Sequence, residues 1–306
     1  MNGPIYTLPP DLRIDEVFAA APNNLWHIPK DKWGPVWARV DGHGMKISVL
    51  DTGIADHPDL PEPIATRSFI PNQSVQDGNG HGTHCSGTAL GRNGLGIAPG
   101  ASLLIGKVLS NQGSGGSAGI AAGVRWSVDQ GADVISMSLG GGGSDQETNR
   151  AIDYAWSKGC YVIAAAGNSG YNGANTIGWP ARYLGCLCNA SYQQDGRISS
   201  FSSGGREIDW ATPGSQIISA STRGGYATMS GTSMATPFGA GLLALIKHLQ
   251  LREGYAIWKS ADEAREFIKL NCEDAGELGF DVRFGHGKPL VDRIVSGLIN
   301  DDLRWV

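Results

Sequence analysis

A serine stands among small residues in Gly231-Thr232-Ser233-Met234-Ala235-Thr236-Pro237, just ahead of Phe238 to Leu249, which reads as an apolar helix. A hydroxyl there is exposed at the positive end of a helix dipole. Two partners lie upstream. Asp51 ends the apolar run Ile47-Ser48-Val49-Leu50, and His81 opens Gly80-His81-Gly82-Thr83-His84-Cys85-Ser86-Gly87. A serine alone is a weak nucleophile and needs a base, which His81 supplies. The imidazole needs an anion to fix its tautomer and stabilise the imidazolium, which Asp51 supplies. The attacked carbonyl becomes an oxyanion and needs prepositioned donors. Asn168, in Ala164-Ala165-Ala166-Gly167-Asn168, follows a run of small residues in a Gly-flanked turn and is the candidate, with the Ser233 N–H as second donor. Each residue alone has a blander reading. An Asp after a strand caps a turn or helix, a His in a Gly-rich turn is structural (as we read His84), a Ser before a helix is an N-cap, and an Asn before Ser-Gly is a turn residue. Four such contexts in the order Asp, His, Ser favour nucleophilic catalysis.

These groups need a scaffold. Met45 to Leu50, Ser102 to Val108, Val134 to Leu139, Tyr161 to Ala166, Leu184 to Ala190 and Ile208 to Ala211 read as strands. Pro29 to Val40, His81 to Leu90, Gly119 to Gln130, Glu147 to Lys158, Phe238 to Leu249 and Ala261 to Leu270 read as helices. This alternation predicts an α/β fold with a parallel sheet covered on both faces. In such sheets sites form beyond the carboxyl ends of strands, where Asp51 and Asn168 fall. Gly113 to Gly116 reads as a loop. The proline-rich stretch before Leu25 reads as an extended arm with one helical turn at Asp15 to Ala21.

Composition narrows the class. With 41% hydrophobic and 17% charged residues, 306 residues suit one large domain with a sizeable core. A net charge of −5 without a basic patch argues against nucleic acid. No apolar run reaches the roughly 20 residues of a membrane span, and the first residues do not resemble a secretory signal. The five cysteines, an odd number, suggest free thiols in a reducing, cytoplasmic compartment. Cys186-x-Cys188 has no second Cys/His pair nearby and reads as buried thiols.

From about Leu25 to Ile294 the chain resembles the subtilase family. The carrying segments are Asp51-Thr52-Gly53-Ile54, Gly80-His81-Gly82-Thr83-His84, Ser138-Leu139-Gly140-Gly141, Ala165-Ala166-Gly167-Asn168 and the Ser233 motif. The resemblance implies a seven-stranded parallel sheet and hydrolysis of peptide bonds through an acyl-enzyme. It also implies that protein or peptide substrates bind as an added strand. Gly113-Ser114-Gly115 and Ser138-Leu139-Gly140 match the flanking segments. Gly178 matches the floor of the pocket for the residue before the scissile bond, where glycine leaves room for large apolar side chains and no charge invites basic ones.

Within the family, Met1-Asn2-Gly3-Pro4-Ile5 and Ser136 to Gly141 are most similar to the intracellular subtilisins. That implies a short inhibitory extension, residues 1–24, ahead of a catalytic domain, residues 25–306, in a zymogen that is trimmed on activation, and a homodimer. Thr7-Leu8-Pro9-Pro10 matches the blocking motif only in part, and a proline there binds without donating to a ladder. Calcium is implied as well, with Asp59 matching one ligand. The loop Gly91 to Pro99 is short for the rest, and Tyr192 stands where a second, weaker site often has an acid that neither Arg182 nor Asp195 restores. Alternatives on the same fold are a dedicated processing protease or macrocyclase, and a catalytically silent binding module.

Overall fold

The computed structural model describes residues 3–8, 14–20 and 24–297. Its centre is a seven-stranded, all-parallel sheet. In chain order the strands are Lys46–Asp51 (β1), Ala65–Ser68 (β2), Ser102–Lys107 (β3), Val134–Met137 (β4), Tyr161–Ala165 (β5), Leu187–Tyr192 (β6) and Trp210–Pro213 (β7). Across the sheet they run β7-β6-β5-β4-β1-β3-β2. The central strands are near-continuous apolar runs because both faces are covered; Ile47, Val49 and Leu50 of β1 are all buried.

Five helices matter for the site: Lys30–Arg39 (α1), His81–Leu90 (α2), Ser117–Asp129 (α3), Gln146–Ser157 (α4) and Thr232–Glu253 (α5). α2 and α5 pack on each other, and α5 lies along β4, β5, β6 and β7; α3 and α4 pair with one another against β1, β3 and β5. The long α5 is buried nearly all round, as its unbroken run of small and apolar residues requires. β1 sits mid-sheet, so Asp51 at its carboxyl end opens onto a crevice between neighbouring connections.

The expected elements are present with shifted ends. Leu184 to Cys186 form a turn before β6 instead of its start, with Leu184 exposed. β7 begins at Trp210, two residues later than predicted. The exposed edge strand β2 has no apolar signature and gave no sequence signal. The stretch expected to be a helical turn is a strand, Ile14–Phe18. It adds to an antiparallel ribbon, Ile217–Ala220 and Tyr226–Met229, with Phe18 opposite Tyr226 and Val17 opposite Ala227. The β-branched Val17 and aromatic Phe18 suit that edge better than a helix. The loop expected at Gly113 to Gly116 is in part a strand, Ser114–Gly116, because the amino-terminal arm pairs with it.

Candidate active site

β1 ends at Asp51 and α2 begins at His81, and glycine lets the two meet. A Cβ on Gly82 would lie 2.3 Å from the Gly53 carbonyl oxygen and 3.2 Å from the Asp51 Cβ. Gly80, at the helix N-cap, holds a left-handed φ of 106°. The result is a fully buried contact in which His81 Nδ1 donates to Asp51 Oδ1 at 2.7 Å. The Thr52 N–H donates to the same oxygen at 2.7 Å. Burial opposes charge on His81, yet the Asp51 carboxylate beside it holds the imidazole pKa well above its usual value. The adjacent Cys85 thiol is pushed up by burial, so it stays neutral and Asp51 is the anion that His81 answers.

Ser233 is the second residue of α5. Its N–H lies in the first turn, where no carbonyl within the helix can receive it. Pro237, four residues on, has no N–H to give the Ser233 carbonyl. That carbonyl instead accepts from Ser138 Oγ at 2.7 Å and Cys85 Sγ at 3.4 Å. Cys85 Sγ also lies 3.8 Å from His81 Nδ1, so α2, the residue just past β4 and the start of α5 are tied at one point. The Ser233 hydroxyl donates to the Ser138 carbonyl at 3.3 Å, and His81 Nε2 is buried without a partner. Thus Asp51 and His81 are in contact, Ser233 belongs to the same buried cluster, and its hydroxyl is turned away from the imidazole.

Asn168 reaches the same point from the end of β5. Its Oδ1 accepts from the Thr232 N–H at 2.9 Å and Thr232 Oγ1 at 2.8 Å, which leaves its Nδ2 as donor beside Gly231. Thr232 was not singled out in the sequence, although its hydroxyl is what orients the amide. A cleft of about 590 Å³ is lined by Leu139, Gly140, Asn168, Gly178, Arg182 and Ser233, among others. A Cβ on Gly178 would meet only ordinary contacts at 3.5 Å or more, so packing does not demand glycine there. Arg182, which the sequence did not point to for this pocket, also lines it, with its guanidinium over the Trp179 ring at 5.2 Å.

The arm runs between the two flanking segments. Tyr6 pairs with Gly115 and Thr7 with Ser114, antiparallel. On its other side Thr7 exchanges hydrogen bonds with Gly140, at 2.9 and 3.2 Å, and the Leu8 N–H reaches the Gly113 carbonyl at 2.8 Å. Gly113, Ser114, Gly115 and Gly140 therefore grip an extended strand, and Tyr6 is fully buried. Pro9 and Pro10 lie outside the described residues.

Asp59 is remote from this cluster. Its Oδ1 accepts from Asn93 Nδ2 at 2.7 Å and its Oδ2 from the Tyr226 hydroxyl. Calcium takes six to eight oxygen ligands, and here N–H and O–H hydrogens meet both carboxylate oxygens. In this arrangement Asp59 is held by Asn93 and Tyr226, and among the described residues no cluster of further carboxylates gathers around it. Asp195 is likewise engaged, by Arg197 at 2.6 Å. Among the described residues, the only grouping of three metal-capable side chains is Asp51, His81 and Cys85.

Two further buried histidines give a pH prediction. His84 Nε2 donates to the Ile217 and Ala227 carbonyls, both at 3.1 Å, and the His27 ring has no hydrogen-bond partner. Burial lowers both pKa values to about 3, aided at His27 by His84 and at His84 by His81. The native state then stays unprotonated while the unfolded chain takes up protons near pH 6.5. Their stabilisation is complete above pH 6.5 and is lost as pH falls towards 3, by roughly 1.4 kcal/mol per unit for each histidine. His81, with its raised pKa, adds no slope below pH 6.5. Urea unfolding of inhibitor-treated protein at pH 7 and 5 should show this loss, smaller in His27→Gln; equal stability at both pH values would contradict it.

Comparison with known proteins places the site in context. Residues 42–287 match the sequence profile described as the subtilase family. The chain is 45% identical over 218 residues to thermitase of Thermoactinomyces vulgaris, covering 69% of this chain and 77% of that protein. It is 43% identical over 211 residues to a thermostable alkaline protease of Halalkalibacterium halodurans, covering 67% and 57%. It is 42% identical over 260 residues to subtilisin DY of Bacillus licheniformis, covering 82% and 90%.

Proposed function

Since the chain belongs to the subtilase family and is a subtilisin-like serine endopeptidase, we propose that Asp51, His81 and Ser233 are its catalytic triad. Asn168 Nδ2 and the Ser233 N–H are the oxyanion donors. The observation that carries this is the buried 2.7 Å His81–Asp51 contact, which in the neutral imidazole leaves Nε2 as an unpaired acceptor beside the helix start that holds Ser233. Rotation about the Ser233 Cα–Cβ bond turns Oγ from the Ser138 carbonyl to Nε2. As Oγ attacks the substrate carbonyl, Nε2 takes its proton, and Asp51 stabilises the imidazolium through Nδ1–H. Charge on the carbonyl oxygen is met by the two donors, held in place before the reaction begins. Collapse of the tetrahedral intermediate expels the amine, which takes the proton from Nε2. Water then repeats the steps against the acyl-enzyme.

The substrate lies as an antiparallel strand between Ser114–Gly116 and Leu139-Gly140, the place where the arm lies. We read residues 1–24 as an inhibitory extension for that reason. The room above Gly178 and the cation of Arg182 favour large apolar residues before the scissile bond over lysine or arginine. The free state of all five cysteines supports a reducing, cytoplasmic setting. Among the described residues no helix is long and apolar enough to cross a membrane.

A peptide series varied only at the residue before the bond tests the specificity. Trimmed enzyme should cut after Phe or Leu about 10²-fold faster in kcat/KM than after Gly, and slowest after Lys or Arg. Cleavage of one sequence among many would instead favour the dedicated processing protease.

A further inference from the structure

Asp77 is buried one turn ahead of His81 and belongs to none of the roles above. Five hydrogen bonds converge on its carboxylate. Oδ1 accepts from Thr52 Oγ1 at 2.8 Å, from the Gly80 N–H at 2.8 Å and from the Asn79 N–H at 3.0 Å. Oδ2 accepts from the Thr83 N–H at 2.9 Å and Thr83 Oγ1 at 2.7 Å. Thr52 follows Asp51 directly, and Gly80 and Thr83 bracket His81. One carboxylate therefore holds both halves of the Asp51–His81 pair, like a hand on two handles. The grip is closed a second time, since Thr52 Oγ1, while donating to Asp77, accepts from the Gly82 N–H at 2.9 Å. Thr83 Oγ1 likewise accepts from the Ala55 N–H at 3.1 Å, just past β1.

The charge is balanced from beneath. Lys107 ends β3, directly opposite Asp51 in register, and is fully buried. Its ammonium donates to the Thr52 carbonyl, to Asn111 Oδ1 at 2.8 Å and to the Gln76 carbonyl at 3.4 Å. Thr52 is thus held from its carbonyl by a cation and from its hydroxyl by an anion. A buried carboxylate and a buried ammonium are expensive to leave unsatisfied, and here hydrogen bonds meet both. The N-cap of α2 is a glycine with no side chain to cap with, and Asp77 does that work from outside the helix.

We propose that Asp77 is a positioning residue for the triad: through Thr52 and the first turn of α2 it fixes the distance and angle at which His81 meets Asp51. The proposal rests on the triad reading, and the test separates the two. Asp77→Asn keeps the size but turns one acceptor oxygen into an amide donor facing either the Thr83 N–H or the Thr52, Asn79 and Gly80 donors. His81 loosens on Asp51. kcat should fall on the order of 10²-fold, the scale of an ångström misplacement, with KM unchanged. The acid limb of kcat/KM should move down towards pH 6.5 as His81 loses its anion. Thr52→Val removes only the hydroxyl link and should shift kcat and the acid limb in the same direction. Thr52→Ser restores the hydroxyl and should restore both. If Asp77→Asn does not fold, the Thr52 pair decides the matter. Folded variants with wild-type kcat and acid limb overturn the proposal, as does Thr52→Ser failing like Thr52→Val. A triad that is itself wrong is recognised separately, by Ser233→Ala protein that keeps the activity of wild-type enzyme.

Discussion

Ser233→Ala should lower kcat on the order of 10⁶-fold, the loss known when subtilisin is stripped of its nucleophile. The substitution removes one oxygen and a single long hydrogen bond to the Ser138 carbonyl, so stability should hardly change. Asn168→Ala should lose about 10²–10³ in kcat with KM nearly unchanged, again the scale established for one oxyanion donor in subtilisin. The asymmetry between kcat and KM matters. A donor that meets only the developing oxyanion is felt in the transition state and not in substrate binding. The Asn168 amide is oriented by two hydrogen bonds from Thr232, so Thr232→Val should give part of the same loss. Steady-state kinetics on a small peptide, with thermal unfolding measured on the same samples, checks both substitutions.

Opening the arm should have the second largest effect. Tyr6 is a fully buried aromatic on a strand held on both sides by backbone hydrogen bonds. Tyr6→Ala gives up about 2–3 kcal/mol of burial, which shifts the balance between seated and released arm by roughly 30- to 150-fold. Activity of the full-length chain should rise by that factor, up to the level of trimmed enzyme. A cut between Asp11 and Asn24 should release full activity in one step. The comparison is made by assaying full-length, Tyr6→Ala and trimmed protein at equal concentration of titratable active sites. Full-length protein already as active as trimmed protein would mean that substrate simply displaces the arm.

The residues we assign to the chemistry were legible because their contexts are local. Asp51 follows an apolar strand, His81 starts a Gly-flanked helix, and Ser233 precedes a long apolar one, all within a few residues of sequence. The central strands were legible for a related reason, since burial on both faces leaves unbroken apolar runs. What escaped depends on partners distant in the chain. The Ile14–Phe18 strand exists because Tyr226–Met229 offers an edge more than 200 residues away. β2 is polar and exposed, and its register with β3 is its only credential. The Asp77 cluster draws on Thr52, Thr83 and Lys107, whose types are ordinary and whose meeting only topology dictates. Asp59 is a different case. Its segment matches a calcium-binding pattern, but Asn93 and Tyr226 bring donors to both of its oxygens.

Labelling with a fluorophosphonate is the most direct measurement of the central claim. Trimmed protein should take up one equivalent, located by peptide mass analysis on Ser233. The labelling rate should rise with pH as His81 loses its proton, with a midpoint above 6.5. A label on any other residue, or none at all on folded, trimmed protein, would contradict the account.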